Sequence, residues 1–352
     1  MSLAEPRAGL RELAPYVSPQ LEVASRLNTN ECPHPLPEGF FDELAQAVRD
    51  LPLHRYPDGQ ARRLREDLAQ AHGHDADGTW VAGGSNEILH ELLTAYGGPD
   101  RRAVTFEPTY LLHSRLAELV HTEVVELRLP ADFVLTSAQV EQAAGAEPDV
   151  VFVCSPNNPT GNAQPVAITF ALAERLPSSL IIVDEAYVEF GGESALPLVA
   201  EHPNVAVVRT FSKAFALAGA RLGYVLTSPD VVELLQVVRL PYHLSALAQA
   251  AGIVALRHRA EALQMLDAIR GQRDRISAAL SAMPGVHVHP SQANFVLFEP
   301  PGDALEVWKG LLEREVLVRD LTRVVPNALR VTAGAEHEVD LFLEALREVL
   351  AP

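Results

Sequence analysis

Lys213 is the residue of this chain whose neighbours best suit covalent chemistry. It follows Ser212 just after an apolar run, residues 205–208, and such a run predicts a buried strand. A lysine held at the carboxyl end of a strand can form a Schiff base with an aldehyde cofactor. Arg221 follows in a loop of small residues, where its guanidinium can hold a phosphate group through two parallel hydrogen bonds. The spacing therefore indicates a site for a phosphorylated aldehyde, although a surface lysine is the simpler interpretation of Lys213 alone.

Two other polar side chains are expected beside Lys213. Asp184 follows the apolar run 180–183, where its carboxylate can pair with a positively charged group of a bound cofactor or can cap the next helix. Asn158 lies in a turn set by proline and glycine, and its amide can donate a hydrogen bond to an oxygen atom of the same cofactor. Ligands of open α/β sheets bind at the carboxyl ends of the strands, so these residues should meet there.

Ser85 and Asn86 open a predicted helix directly after two glycines. Glycine allows a close approach of the backbone, and the free N–H groups and the dipole of a helix N-terminus favour a phosphate. Ordinary N-capping by serine or asparagine is the alternative. Together with Ser212 and Arg221, these two residues are predicted to hold the cofactor's phosphate.

The elements that must position these residues alternate between strand-like and helix-like segments. Continuous apolar runs separated by helices predict a mostly parallel sheet that is buried on both faces. Beyond about residue 240, long helical stretches and shorter alternating strands predict a smaller α+β domain. We therefore divide the chain into an N-terminal arm at 1–40 that packs with the small domain, a large cofactor-binding domain at 41–240 and a small domain at 241–352.

The composition disfavours several classes of function. The 352 residues carry a net charge of −18 with a pI of about 5.1, which argues against nucleic acids and anionic membrane surfaces as partners. No apolar stretch approaches the roughly 20 residues of a membrane span, and no signal-peptide pattern is expected from the N-terminus. The two cysteines, Cys32 and Cys154, fit no metal-ligand spacing, so we expect a cytoplasmic protein without a metal site.

The segment 212–224 reads Ser-Lys-x5-Gly-x-Arg-x-Gly-Tyr. It resembles the pyridoxal-phosphate lysine segment of fold-type-I aminotransferases, and most closely that of the histidinol-phosphate aminotransferase branch. Further segments resemble motifs of the same family and occur in the same order: Arg-Tyr-Pro-Asp at 55–58, Asn-Pro-Thr-Gly at 158–161, Asp-Glu-Ala-Tyr at 184–187 and Leu-Arg-Val-Thr at 329–332. The resemblance covers about residues 10–350.

This resemblance implies a fold and an activity. The fold is that of a fold-type-I α/β transferase, with a mostly parallel seven-stranded sheet in a large domain and a smaller α+β domain. The implied cofactor is pyridoxal 5′-phosphate, and the implied assembly is a homodimer. The implied reaction transfers an amino group between L-histidinol phosphate and 2-oxoglutarate in histidine biosynthesis, so its partners are a small amino donor and a phosphorylated substrate.

The resemblance also assigns roles to individual residues. Lys213, Asp184 and Tyr187 are implied to be catalytic, with the Tyr187 hydroxyl bonded to the cofactor's phenolic oxygen. Tyr110 is implied to stack on the cofactor ring, and Tyr56 to reach the cofactor phosphate of the neighbouring subunit. The implied substrate contacts are Tyr16, Asn30 and Arg330, of which Arg330 takes the anionic end of the substrate.

Two positions depart from the family pattern. Cys32 stands where the family has an asparagine, and Leu341 stands where a second arginine often helps to hold the substrate anion. Arg319, Arg323 or His337 could supply the missing positive charge, and we include Arg323 among the predicted substrate contacts. These departures bear on the identity of the substrate more than on the type of reaction.

Three other functions stay open at this point. An aromatic aminotransferase and a threonine-phosphate-type decarboxylase share the fold, and the decarboxylase differs in which substrate bond lies perpendicular to the cofactor ring. A cofactor-binding regulatory module without catalysis is a remote alternative. Such a module carries a DNA-binding extension, for which we expect no room in the short N-terminal segment, and the negative net charge opposes it.

Overall fold

The structure is a computed structural model, and it describes residues 4–5, 10, 15 and 18–351. The strands, numbered in chain order, are β1 (Ser25–Leu27), β2 (Thr79–Ala82), β3 (Arg102–Glu107), β4 (Glu123–Arg128), β5 (Val150–Cys154), β6 (Leu180–Asp184), β7 (Val205–Thr210), β8 (Gly223–Leu226), β9 (His287–Val288), β10 (Phe295–Glu299), β11 (Val316–Asp320) and β12 (Leu329–Thr332).

The helices surround these strands. They are α1 (Glu38–Arg49), α2 (Arg62–His72), α3 (Ser85–Tyr96), α4 (Leu112–Leu119), α5 (Ser137–Gly145), α6 (Val166–Arg175), α7 (Pro229–Val238), α8 (Ala246–Arg257), α9 (Arg259–Ser281), α10 (Ala304–Glu313) and α11 (Glu336–Leu350). Short 3-10 turns occur at Val188–Phe190, Leu196–Ala200 and Ala218–Ala220. None of the described helices is long and apolar enough to cross a membrane.

Seven of the described strands form the larger sheet, in the order β2-β8-β7-β6-β5-β3-β4. Only β8 runs antiparallel to its neighbours, so the predicted mostly parallel sheet is confirmed. The central strands β5, β6 and β7 are buried along their whole length, because helices cover both faces of the sheet. Their carboxyl ends meet at one edge of the sheet, where Asp184 ends β6 and Lys213 follows β7.

The other five strands in the described part of the chain form a second sheet, in the order β1-β11-β12-β10-β9. Strand β1 pairs in parallel with β11, so part of the segment predicted as an extended arm is bound to this sheet. The other pairings are antiparallel, and in one of them Arg319 of β11 lies opposite Arg330 of β12. The proposed division of the chain at 40 and 240 stays a prediction.

Candidate active site

A cavity of about 280 Å³ lies at the carboxyl edge of the larger sheet and is closed on one side by residues of the smaller sheet and of the segment that carries β1. Most of the residues selected from the sequence line this one cavity. They are Asn30, Ser85, Asn86, Tyr110, Asn158, Asp184, Tyr187, Ser212, Lys213, Arg221 and Arg330. The fold therefore brings together side chains that are as much as 300 residues apart in the sequence.

The Lys213 ammonium lies in the cavity between the two sheets. Its Nζ donates a hydrogen bond to the carbonyl oxygen of Thr29 at 2.9 Å and lies 5.9 Å from the centre of the Tyr187 ring. Burial lowers the pKa of Lys213 to about 8, and the positive charges of Arg330 and Arg221 act in the same direction. A much larger fraction of this amine is therefore neutral near pH 7 than for an ordinary lysine.

Asp184 ends strand β6 and is only 2 % exposed. Its Oδ2 accepts a hydrogen bond from His113 Nε2 at 3.0 Å, and its Oδ1 accepts one from the Ala186 backbone N–H at 3.1 Å. His113 is fully buried in α4 and stacks on Phe152, with ring centres 4.6 Å apart. The imidazole holds the carboxylate in one orientation at the floor of the cavity.

A cradle for an anion forms where the N-terminus of α3 meets Arg221. Gly84, at φ 101°, precedes the helix, and a Cβ atom there would lie 2.8 Å from Arg221 Nη2. A side chain at Gly223 would collide with the backbone N of Ser85. Arg221 Nη1 lies 3.4 Å from Ser212 Oγ and donates to it. The two glycines thus allow a guanidinium, a hydroxyl and free helix N–H groups to face one volume.

Tyr110 lies beside this cradle. Its hydroxyl donates to Asn86 Oδ1 at 3.3 Å, and its ring meets the His113 ring edge-on with centres 5.5 Å apart. Tyr110 thereby connects the anion cradle with the pair formed by Asp184 and His113.

The segment after β1 supplies the opposite wall. Asn30 Nδ2 donates to the Tyr187 hydroxyl at 3.0 Å, and the Asn30 backbone N–H donates to Thr332 Oγ1 at 3.0 Å. Burial raises the pKa of Tyr187 to about 12, against the opposing effects of Arg330 and of the hydrogen bond from Asn30. Tyr187 is therefore a neutral hydroxyl at physiological pH, free to act as a hydrogen-bond donor.

Two arginines form the end of the cavity that faces the smaller sheet. Arg330 is 7 % exposed, and it donates to Asn158 Oδ1 and to the Asn28 carbonyl oxygen, the latter at 3.0 Å. Arg319 also lines the cavity and donates to Ser18 Oγ at 3.1 Å. The two guanidinium groups place positive charge at this end of the cavity, where an anion can interact favourably with both.

The other candidates for a second cation lie elsewhere. Arg323 and His337 are both exposed and outside the cavity lining, and Leu341 is partly buried against the apolar core. Arg319 was one of three candidates in the sequence, and its position opposite Arg330 distinguishes it from Arg323.

The remaining predicted site residues are Tyr16 and Tyr56. Tyr16 lies outside the described residues. Tyr56 is 78 % exposed, stacks on Tyr242 with ring centres 4.3 Å apart, and lies outside the cavity lining of its own chain.

His113 and Ser18 are cavity-region residues that sequence reasoning missed. His113 falls within an ordinary amphipathic helix, and its partner Asp184 is 71 residues away in the sequence. No local pattern around His113 indicates that contact. The one indication in the sequence is that His113 comes three residues after Tyr110, which was predicted to stack on the cofactor ring.

Comparison with known proteins gives the family context of this site. The family model described as aminotransferase class I and II matches residues 24–347. A protein named histidinol-phosphate aminotransferase from Frankia casuarinae is 47% identical over 359 residues, covering 98% of this chain and 90% of that protein. One of the same name from Nocardia farcinica is 46% identical over 356 residues, covering 98% of this chain and 91% of that protein.

A solved structure has the same fold. Histidinol-phosphate aminotransferase from Sinorhizobium meliloti, solved in complex with pyridoxal-5′-phosphate, superposes with a TM-score of 0.89 at 24% identity. The match covers 99% of this chain and 98% of that one. At that identity the likeness shows the arrangement of the elements and not the chemistry.

Proposed function

The chain belongs to the class I and II aminotransferase family, and we propose that it transfers an amino group between L-histidinol phosphate and 2-oxoglutarate. This reaction yields imidazole-acetol phosphate and glutamate and is a step of histidine biosynthesis. Support comes from relatives of that name at 45–47% identity over nearly the whole chain. The observation that carries the substrate assignment is the pair of arginines, Arg319 and Arg330, at one end of a cavity that also holds Lys213.

The residues of the cavity fit pyridoxal 5′-phosphate, the cofactor of this family. The cationic cradle of Ser85, Asn86, Ser212 and Arg221 suits its phosphate, and the buried Asp184 carboxylate suits a protonated pyridine nitrogen. The remaining contacts proposed are Tyr110 on the ring face, Asn158 and Tyr187 at the phenolic oxygen, and Lys213 at the aldehyde. When bound, the cofactor supplies an electron-withdrawing ring that stabilises negative charge on the substrate's α-carbon.

Lys213 is the proton carrier in this proposal. Its neutral amine removes the proton from the α-carbon of the amino donor, and its lowered pKa makes the neutral form accessible near neutrality. His113 and the Ala186 N–H both donate to the Asp184 carboxylate and hold it in place at the wall of the cavity. Lys213 and Asp184 thus act from different walls of the cavity on one bound molecule.

Arg330 and Arg319 bind the anionic end of each substrate. The side-chain carboxylate of glutamate and the phosphate of histidinol phosphate each present two oxygen atoms that can accept parallel hydrogen bonds from one guanidinium. A phosphate dianion gains more from two positive groups than a carboxylate does. Arg319 thus takes the place of the arginine that Leu341 replaces, and we propose it instead of Arg323.

The pH dependence of cofactor capture tests the role of Lys213. Only a neutral amine attacks an aldehyde, so the rate at which apoenzyme takes up pyridoxal 5′-phosphate should rise with pH and level off above about 8. An ordinary lysine would keep the rate rising to about pH 10.4. Stopped-flow absorbance across this range makes the measurement, and a plateau reached only near the ordinary lysine pKa would contradict it.

Steady-state kinetics test the substrate assignment. Histidinol phosphate should exceed phenylalanine in kcat/KM by roughly 10-fold or more, since one added charge-assisted contact contributes about 1.5–3 kcal/mol. Growth of a histidine-requiring strain that carries this protein tests the same role in cells. A preference for phenylalanine or tyrosine would favour an aromatic aminotransferase, and release of carbon dioxide from phosphothreonine would favour the decarboxylase.

We also propose that the enzyme is a homodimer in which Tyr56 of each subunit completes the site of the other. Tyr56 and Tyr242 form an exposed stacked pair. Other exposed apolar side chains lie close to these two tyrosines in the sequence, namely Leu53, Val237 and Leu240. A cluster of exposed apolar residues of this kind is typical of a subunit interface. A cytoplasmic location is part of the proposal and is supported by the two free cysteines.

Sedimentation and a Tyr56→Phe variant test the dimer. Wild-type enzyme should sediment as a dimer at micromolar concentration. Tyr56→Phe should weaken cofactor binding by about 0.5–1.5 kcal/mol, or up to about 3 kcal/mol if the hydroxyl donates to a charged phosphate. Tyr96→Phe, at the far end of α3 from the cradle, serves as the matched control. A fully active monomer would contradict the shared site.

A further inference from the structure

Two histidines and a glutamate meet at the outer edge of the smaller sheet, outside the active-site cavity. His287 and His289 are two residues apart in an extended segment, so their side chains lie on the same face. Glu299 lies opposite His287 in the antiparallel pairing of β9 with β10. Each of the three residues offers one ligand atom, and these atoms all lie within 4.8 Å of one another. Sequence analysis predicted no metal site, and this cluster is the reason to revise that prediction.

We propose that His287, His289 and Glu299 bind Zn²⁺ or another late first-row divalent ion. Imidazole nitrogen and carboxylate oxygen bind zinc at about 2.0–2.2 Å, so two atoms on one ion lie at most about 4.4 Å apart. The observed spacing needs only a small side-chain rotation, and His287 is exposed and able to make it. Two imidazoles select zinc, copper or nickel over magnesium and calcium, which prefer oxygen ligands.

The surroundings leave space for the rest of the coordination sphere. A second cavity of about 580 Å³ is lined by His287 and His289 together with residues 131–134, Thr160, Asn162 and Ala163. Zinc held by three protein ligands keeps a fourth position for water, and such a water fits in this cavity. Asp132, which also lines the cavity, is an acceptor suited to a metal-bound water.

A hydrogen bond without a metal explains the contact between His289 and Glu299, but it does not explain the position of His287. His289 Nε2 and Glu299 Oε1 are 2.9 Å apart, and this pair needs no metal. The His287 ring stands edge-on to the His289 ring, with centres 4.6 Å apart, and contributes nothing to that hydrogen bond. His287 is therefore the residue whose removal separates metal binding from the stability of the hairpin.

Calorimetric titration with zinc chloride tests the proposal on untagged, chelator-treated holoenzyme. Wild type should bind one Zn²⁺ per chain. His287→Gln and Glu299→Gln should each weaken that binding by 10-fold or more, because even the loss of a residue that only supports a metal ligand costs about 10–100-fold in affinity. His90→Gln, at an exposed histidine of α3, is the matched control and should bind as wild type does.

Two results would overturn the proposal. One is the absence of a zinc site in the wild type. The other is equal zinc binding by wild type and His287→Gln, because zinc held by Cys32, Cys154 or the bound cofactor would not respond to this substitution. Thermal unfolding gives a second readout: at the same zinc concentration, zinc should raise the Tm of wild type and of His90→Gln more than that of His287→Gln. The assay does not depend on the proposed reaction.

Discussion

Replacing Lys213 with alanine should abolish transamination while leaving a folded protein. Removal of a positioned acid–base group alone costs about 10²–10⁴-fold in rate, and Lys213→Ala also removes the covalent attachment of the cofactor. The variant should still bind pyridoxal 5′-phosphate through the cradle around Arg221, because those contacts do not involve the lysine. Absorbance spectra and steady-state rates of the purified variant check both parts.

The chain offers a matched control for this experiment. It contains only one other lysine, Lys309, which is exposed on α10 and forms an ion pair with Glu306 at 2.7 Å. Lys309→Ala should keep full activity, since an exposed pair of this kind contributes little even to stability. Wild-type activity in Lys213→Ala would show that the proton carrier is another group.

Replacing Arg330 with alanine should reduce kcat/KM for both glutamate and histidinol phosphate. One guanidinium serves both anions, and loss of a charge-assisted contact of about 1.5–3 kcal/mol corresponds to a reduction of roughly 10- to 100-fold. Arg330 also holds Asn158 and the Asn28 carbonyl oxygen, so a reduction in kcat is expected beside the rise in KM. Initial rates with each substrate varied in turn give both constants.

Arg319 and Arg323 provide the comparison for Arg330. Arg319→Ala should affect histidinol phosphate more than glutamate, because the second positive charge matters most to a dianion. Arg323→Ala should affect neither, since that side chain is exposed outside the cavity. An Arg330→Ala enzyme that uses glutamate as well as wild type does would contradict a single anion site.

The residues at strand ends were the part of the site that the sequence could predict. Apolar runs before Asp184 and Lys213 are continuous, so the strands and their carboxyl ends follow from local pattern. Strand β8 was not predicted, because its four residues, Gly223–Leu226, directly follow the loop that contains Arg221 and read as part of that loop. Strand β4 was missed because exposed charged residues interrupt its apolar residues at the sheet edge.

Contacts between distant segments could not be predicted in the same way. The choice of Arg319 over Arg323 depends on the register of β11 against β12, and the sequence alone does not fix that register. The pairing of His113 with Asp184 depends on how α4 packs on the sheet. The bonding of Asn30 to Tyr187 depends on β1 joining a strand almost 300 residues later.

Borohydride reduction followed by peptide mapping tests the central claim most directly. Reduction makes a Schiff-base link between a lysine and pyridoxal 5′-phosphate permanent, and the chain has two lysines that could carry the label. The account predicts one label per chain, in the peptide that contains Lys213, and none in the reduced Lys213→Ala variant. A label on Lys309, or an unlabelled Lys213 in active wild-type enzyme, would contradict it.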